Sequence, residues 1–186
     1  MISNILGTGT LFLHILIGFV VLLFLFRIIS PKNDVIKDFI VFLEQKGLYI
    51  VYILLLSGVL GSLYYSNILG YEPCLLCWWQ RIFIYSSTVI LTFALYWKEL
   101  IWASRYVFVL LIPGAILAGY QYIQQMFDIS QICNADGIGV SCSTRYVFLY
   151  GYITIPLMAF TSLLVSLIIL FLHNRKHKVK HFFGIL

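Results

Sequence analysis

Residues 72–97 read EPCLLCWWQRIFIYSSTVILTFALYW, and this stretch decides the fold. Pro73 cannot continue a helix that precedes it but suits the first turn of a new one, so Cys74 and Cys77 are expected in that first turn. The run from Trp78 to Trp97 is mostly apolar and, as a helix, reaches about 30 Å, the thickness of a bilayer core. It does not alternate polar with apolar, which excludes a barrel strand, and helices and closed barrels alone satisfy their backbone in lipid. Trp78 and Trp79 are then placed at headgroup level.

The rest of the chain has the same character. The 186 residues are 62% hydrophobic and 10% charged, with a mean hydropathy of +0.99, far from a soluble globular composition. Uninterrupted apolar runs predict spans at roughly 10–29, 48–69, 78–97, 106–124 and 147–172. The length leaves no room for a separate soluble domain of ordinary size. The expected fold class is therefore all-α and integral to the membrane: a four-helix transmembrane core at 48–172, preceded at 1–47 by one additional N-terminal transmembrane helix and a cytoplasmic interfacial segment, and followed at 173–186 by a basic tail. No internal repeat or low-complexity tract is visible.

Orientation follows from the cations. Arg27, Lys32, Lys37 and Lys46 flank the first connection, Lys98 and Arg105 the third, and Arg175, Lys176, Lys178 and Lys180 lie in the tail. These ten of the twelve basic residues mark the cytoplasmic side, with lipid and not nucleic acid as their partner. An odd number of spans puts the N-terminus outside, and both cysteine pairs, Cys74 with Cys77 and Cys133 with Cys142, share that outer face. In a bacterium it is the oxidising side of the cytoplasmic membrane, where disulfides persist. The first span also has the position of a signal peptide, but its start carries no basic residue and no small-x-small cleavage site follows Phe26, so a retained helix is expected. Ser30-Pro31-Lys32-Asn33-Asp34 reads as a turn and cap, and Ile36, Phe39, Ile40 and Leu43 follow at helical spacing, as in a helix lying on the membrane surface.

The four cysteines carry the chemistry. A Cys-x-x-Cys at a helix start has its thiolate favoured by the helix dipole and by nearby cations, and thiolate is the form that attacks disulfides. Cys74, Cys77 and Arg81 fall on one face at steps of three and four. Arg81 lies on the order of 10 Å along the helix from Cys74. An arginine at that depth either snorkels to the headgroups or serves the thiols; there it can stabilise a Cys77 thiolate and hold the oxygen of an electron acceptor. Gln80 beside it is a hydrogen-bond donor for the same site, or a polar residue at the water boundary. A four-cysteine zinc site and a pair of inert staples are the other readings of the cysteines, although Cys-x8-Cys is looser than a usual zinc half-site. Two pairs on one face, one fixed and one in a loop, allow electrons to pass by thiol exchange from the outer pair to the inner one.

Pro-Cys-x-x-Cys-x-x-Gln-Arg at 73–81, then Cys133, Cys142-Ser143-Thr144 and Gly151-Tyr152-Ile153-Thr154-Ile155-Pro156, resembles the bacterial disulfide bond formation protein family, the DsbB and BdbC group, over about residues 48–172. The resemblance implies a membrane thiol:quinone oxidoreductase, using ubiquinone or menaquinone, that reoxidises a DsbA-like thioredoxin-fold partner and so supports disulfide formation in secreted proteins. It implies that Cys74 and Cys77 face the quinone, with Cys77 next to the ring, and that Arg81 meets a quinone oxygen. It further implies that Cys133 takes the mixed disulfide with the partner while Cys142 exchanges with Cys74. Eight residues between the loop cysteines and the extra N-terminal helix depart from the best known members. Two rivals stand beside this reading: an oxidoreductase of the vitamin K epoxide reductase kind, in which the loop pair precedes the Cys-x-x-Cys, and a non-catalytic carrier of a soft metal.

The remaining signals are weaker. Ser57, Gly58, Gly61 and Ser62, and Gly114, Ala115, Ala118 and Gly119, suggest close helix packing, and Pro113 and Pro156 suggest kinks. Residues 125–132 have the pattern of a segment lying on the membrane, and 134–139 of a flexible turn. His14 lacks a second ligand for a metal or haem, while His173, His177 and His181 add charge near anionic lipid.

Overall fold

The structure, a computed structural model, describes residues 4–5, 7–15, 17–18, 34–127 and 141–183. The described residues between 4 and 18 are helical and form α1. They are followed by α2 (Asp34–Leu63), which runs on into a π-helical turn at Tyr64–Ile68, then α3 (Leu75–Trp97), α4 (Leu100–Phe127) and α5 (Ile155–Phe183). α2 packs on α3 and α5, and α4 packs on the same two, so these four helices close a ring. Its interior is built from helical spacings: Leu48, Val51 and Leu55 on α2, Ile84 and Leu91 on α3, Val107, Leu111, Ala115 and Ala118 on α4, and Leu163 and Leu170 on α5. Small residues on α4 let its neighbours approach. A Cβ at Gly114 would lie 3.2 Å from Phe83 Cβ, and one at Gly119 would lie 3.2 Å from the ring of Phe160.

Large apolar side chains also face outward, among them Ile53, Val89, Phe93, Val109, Ile116 and Ile168. An apolar exterior on helices of this length is what lipid solvates. Among the described residues three helices are long and apolar enough to cross a membrane: Gln45–Ile68, Leu100–Phe127 and Ile155–Arg175. α3 has the length, at 23 residues, but carries Gln80, Arg81 and several hydroxyls. Two of those hydroxyls bond backbone carbonyls one turn back, Thr88 to Ile84 and Thr92 to Thr88.

Local structure departs from the sequence pattern in several places. Cys74 is the N-cap and not a first-turn residue: its backbone is extended and its Sγ accepts the Cys77 N–H at 3.4 Å, so the helix proper begins at Leu75 and Pro73 precedes the cap. α2 runs unbroken from Asp34 past residue 47, so the segment expected on the membrane surface is continuous with the second span. Gly47 there admits Ile169 of α5 so closely that a Cβ would collide with it. The span expected from 147 starts at Ile155. Leu149 and Ile153 pair backbone to backbone at 2.9 and 2.8 Å around Tyr150 and Gly151, whose φ values of 53° and 77° are left-handed and stop a helix. Pro156 therefore sits in the first turn of α5, where a missing N–H costs nothing, and is no interior kink. α5 continues to Phe183, and His173 is buried instead of facing lipid headgroups. Ser30 to Asn33 and residues 128–140 lie outside the described residues.

Candidate functional site

Alternation of helix direction brings the end of α2, the start of α3, the last turns of α4 and the start of α5 to one end of the ring, and the thiols lie there. Cys74 Sγ and Cys77 Sγ are 3.0 Å apart, both free thiols. Gln121 of α4 reaches across to them: its Nε2 donates to Cys74 Sγ at 3.1 Å and to Cys77 Sγ at 3.2 Å. Its Oε1 accepts from Gln80 Nε2 at 2.6 Å. Both amides are buried, and each holds the other's orientation. Gln80 thus acts on the thiols through Gln121.

Both cysteines precede the apolar stretch that begins at Trp78. The Cys77 thiol is held down to about 6 by the hydrogen bond from the Cys74 thiol, then by the Gln121 amide, the Cys74 backbone contact and the Arg81 charge, against desolvation. Cys74 is pushed up, first because it is the donor to Cys77 and then by burial. The pair therefore divides into a thiolate at Cys77 and a protonated Cys74. In the reduced protein, alkylation of Cys77 should rise through pH 6, as thiol becomes thiolate, and level off by neutral pH with Cys74 still unmodified. Peptide mapping after a maleimide pulse at pH 5, 6 and 7 reads this, and equal labelling of both cysteines at pH 7 would contradict it.

Cys77 stands between two cavities. On one side a cavity of about 350 Å³, within the size range of small-molecule sites, is lined by Cys77, Gln80, Arg81 and Gln121 together with residues of α1, α2 and α5. Arg81 lies over the Trp78 ring, 5.1 Å from its centroid, and its Nη2 donates to the Ser62 carbonyl at 3.2 Å. The charge is thus held at the cavity wall by the last α-helical turn before the π-helical segment. Tyr65 and Tyr85 line the same cavity, and their hydroxyls are buried with no hydrogen-bond partner among the described residues. Two orphaned donors and a guanidinium in a largely apolar chamber, whose lining also includes Glu72, Gln80 and Gln121, fit an apolar ligand with carbonyl oxygens.

On the other side Cys142, 1% exposed, packs with Cys74 and Leu76, with Cys77 and Leu117 against them. A small cavity of about 40 Å³ opens here between the thiols and Ser141, Thr144 and Tyr146. Cys142 is disulfide-bonded. Its segment is tied down by Gln125, whose Nε2 donates to the Thr144 carbonyl at 2.9 Å, and by Tyr146, which stacks on Tyr71 at 4.5 Å and donates to the Glu72 carbonyl at 3.3 Å. Tyr71 in turn stacks on Tyr65, so three rings connect the Cys142 segment to the end of α2. Burial and the Glu72 carboxylate push the Tyr146 phenol up, which keeps it a donor.

The family profile of the disulfide bond formation protein DsbB matches residues 44–172, most of the chain. The chain belongs to the DsbB family. Curated relatives agree: a probable disulfide formation protein C 2 of Bacillus cereus is 35% identical over 67% of this chain and 88% of its own. A probable disulfide formation protein of Chlamydia caviae is 33% identical over 74% and 98%, and the disulfide bond formation protein C of Bacillus subtilis is 35% identical over 65% and 87%. No solved structure matches.

Within this DsbB-family protein the structure brings Cys74, Cys77, Gln80, Arg81 and Cys142 to one end of the helix ring. Cys133 lies outside the described residues. Gln121, Tyr65 and Tyr85 escaped the sequence reading. Gln121 had a signal, since Gln121, Gln124 and Gln125 stand in an otherwise apolar helix and a polar side chain in a span is costly without a role. Tyr65 had none, because a tyrosine near a span end is ordinary.

Proposed function

We propose that this DsbB-family protein is a thiol:quinone oxidoreductase of the bacterial cytoplasmic membrane. It takes two electrons and two protons from the dithiol of a DsbA-like thioredoxin-fold partner on the extracytoplasmic face. The observation that carries the reading is the position of Cys77, with the Cys74 and Cys142 cluster behind it and a largely apolar cavity walled by Arg81 in front. α1 and α3 complete five spans, with the N-terminus outside, in accord with the clustering of basic residues on the opposite side.

Cys133 is taken as the disulfide partner of Cys142, being the one other cysteine outside the Cys-x-x-Cys. A thiolate of the partner attacks this disulfide at Cys133 and releases Cys142; the partner's second thiol then displaces Cys133 and leaves the partner oxidised. In the oxidised form of the inner pair, the Cys142 thiolate attacks Cys74, forming Cys142–Cys74 and expelling Cys77 as thiolate. Attack by Cys133 on Cys142 restores the loop disulfide and frees Cys74. Burial of Cys142 against Cys74 supports the order of exchange, and the low thiol of Cys77 makes it the better leaving group. A quinone, ubiquinone or menaquinone, supplies the final two-electron, two-proton sink. Arg81 and the orphaned hydroxyls of Tyr65 and Tyr85 are the groups that would hold its oxygens, Cys77 is the thiolate next to it, and the apolar walls exclude water. A four-thiol soft-metal carrier is disfavoured because Cys142 has its sulfur in a disulfide.

The test is quinone reduction by the detergent-purified protein, followed by ultraviolet absorbance, with a reduced thioredoxin-fold dithiol donor. Arg81→Met should raise the KM for quinone about tenfold or more, matching loss of a charge-assisted hydrogen bond of about 1.5–3 kcal/mol, while mixed-disulfide exchange with the donor proceeds as before. An unchanged quinone KM in this variant would remove the role of Arg81. Absence of turnover with every quinone and donor would remove the function.

A further inference from the structure

α1 lies outside the family match, which begins at residue 44. Nevertheless Ile5, Gly9, Thr10, Phe12 and Leu13 line the same cavity as Cys77 and Arg81. One wall of the chamber in front of the thiolate is therefore built from a segment outside the family match.

The docking of α1 is specific. Gly7 is buried against α5 and the turn before it, where a Cβ would collide with Leu149 and lie 3.6 Å from Met158 Cε. One turn pair further on, His14 stacks on Tyr152, with centroids 5.8 Å apart and planes at 24°. Its Nε2 is 2.8 Å from Thr161 Oγ1 and its Nδ1 3.2 Å from the Tyr152 hydroxyl. Thr161 already donates to the Leu157 carbonyl, so it accepts from Nε2–H. His14 is thus a clasp between α1 and α5, which accounts for a histidine with no second metal ligand.

The cavity is also lined on α2 by Leu54, Ser57, Gly58, Gly61 and Ser62, and by Tyr65 of the π-helical turn that follows. A Cβ on Gly58 would meet Ile84 only at an ordinary 3.7 Å, so these small residues make room for a void as well as for packing. From Tyr65 to Leu54 the chamber follows α2 for about 16 Å at 1.5 Å per residue. A single quinone ring does not fill that length. Arg81, Gln80 and Gln121 line the cavity together with Cys77, and α1 contributes mostly apolar or side-chain-free surface, Thr10 apart.

We propose that α1 is the specificity wall of the acceptor site: with α2 and α5 it encloses the apolar tail of a prenylated quinone, so that the protein favours tailed over tail-less acceptors. This rests on the quinone reading above and adds to it the residues that choose the acceptor. Ile5, Phe12 and Leu13 bury the tail, Gly9 leaves it space, and Gly7 and His14 position the wall.

The test uses the full-length detergent-purified protein with a reduced thioredoxin-fold donor and two acceptors, a decyl-tailed quinone and the same ring without the tail. Gly9 lines the cavity and a Cβ there meets nothing within 4 Å, so Gly9→Phe adds a ring at the chamber wall without displacing the backbone. Its KM for the tailed quinone should rise about tenfold, equivalent to about 1.4 kcal/mol, and by clearly more than its KM for the tail-less ring. Gly18→Phe is the control, since Gly18 is equally open but does not line the cavity, and both KM values should stay at wild type. His14→Ala, which releases the clasp, should narrow the preference for the tailed acceptor in the same way. Tail preference unchanged in Gly9→Phe and His14→Ala, with the wild type active, overturns the assignment to α1 alone. A wild type that reduces neither quinone overturns the quinone reading, and this one with it.

Discussion

Cys77→Ser is expected to bring quinone reduction down to the uncatalysed background while leaving the protein folded. Cys77 is the free thiol that both adjoins Cys74, at 3.0 Å, and lines the large cavity. Its removal therefore cuts the electron path at the one sulfur common to both sides. A serine hydroxyl is close in size and keeps the hydrogen bond to Gln121, so packing at the start of α3 changes little. It does not ionise near neutral pH and forms no disulfide, so no amount of donor or quinone restores turnover. The loop disulfide of Cys142 is untouched. Exchange with the partner should still occur once, giving a single-turnover burst of oxidised donor equal to the enzyme present. Steady turnover by the serine variant would place the acceptor-facing sulfur elsewhere, and absence of the burst would mean that the loop pair does not receive the donor's electrons directly.

The second large effect is expected at Gln121. Gln121→Leu removes the amide that donates to both sulfurs at 3.1 and 3.2 Å and leaves the buried Gln80 amide without its acceptor. Loss of a hydrogen bond to a charged group, with an unpaired polar group left behind, costs about 1.5–3 kcal/mol, so turnover should fall roughly 10- to 100-fold. The midpoint of the Cys77 alkylation profile should also move upward, because one of the groups that favours its thiolate is gone. A purely structural role would lower thermal stability and leave that midpoint in place, so the two measurements together separate the cases. Gln121→Glu is a sharper form of the same test. It keeps the volume but sets a carboxylate beside the thiolate, which raises the midpoint by repulsion.

Much of the candidate site was legible because it is local. Cys74, Cys77 and Arg81 lie three and four residues apart, and helical geometry alone puts them on one side of α3. Chemistry of the thiol, favoured as thiolate at a helix start, then suggested what they do. The capping role of Cys74 is a smaller local detail that spacing misses, since a residue in the cap and one in the first turn look alike in sequence. The failed span start at 147 has a similar cause. Val147 to Ile153 is apolar either way, and the left-handed backbone at Tyr150 and Gly151, not hydropathy, excludes helix there.

The membrane class, the order of the cysteine pairs and the family were determined by the sequence, because each is set by composition or by spacing along one chain. Only the tertiary structure decided that Gln121 answers thiols 47 and 44 residues away, that Cys142 is buried on Cys74 and that α1 walls the cavity in front of Cys77. The reason is physical: membrane helices are apolar on nearly every side, so the periodicity that reveals the buried face of a soluble helix is faint here. Which faces meet is settled by the fit of small residues, as Gly114 against Phe83 and Gly7 against Leu149, and that fit exists only once the helices are packed.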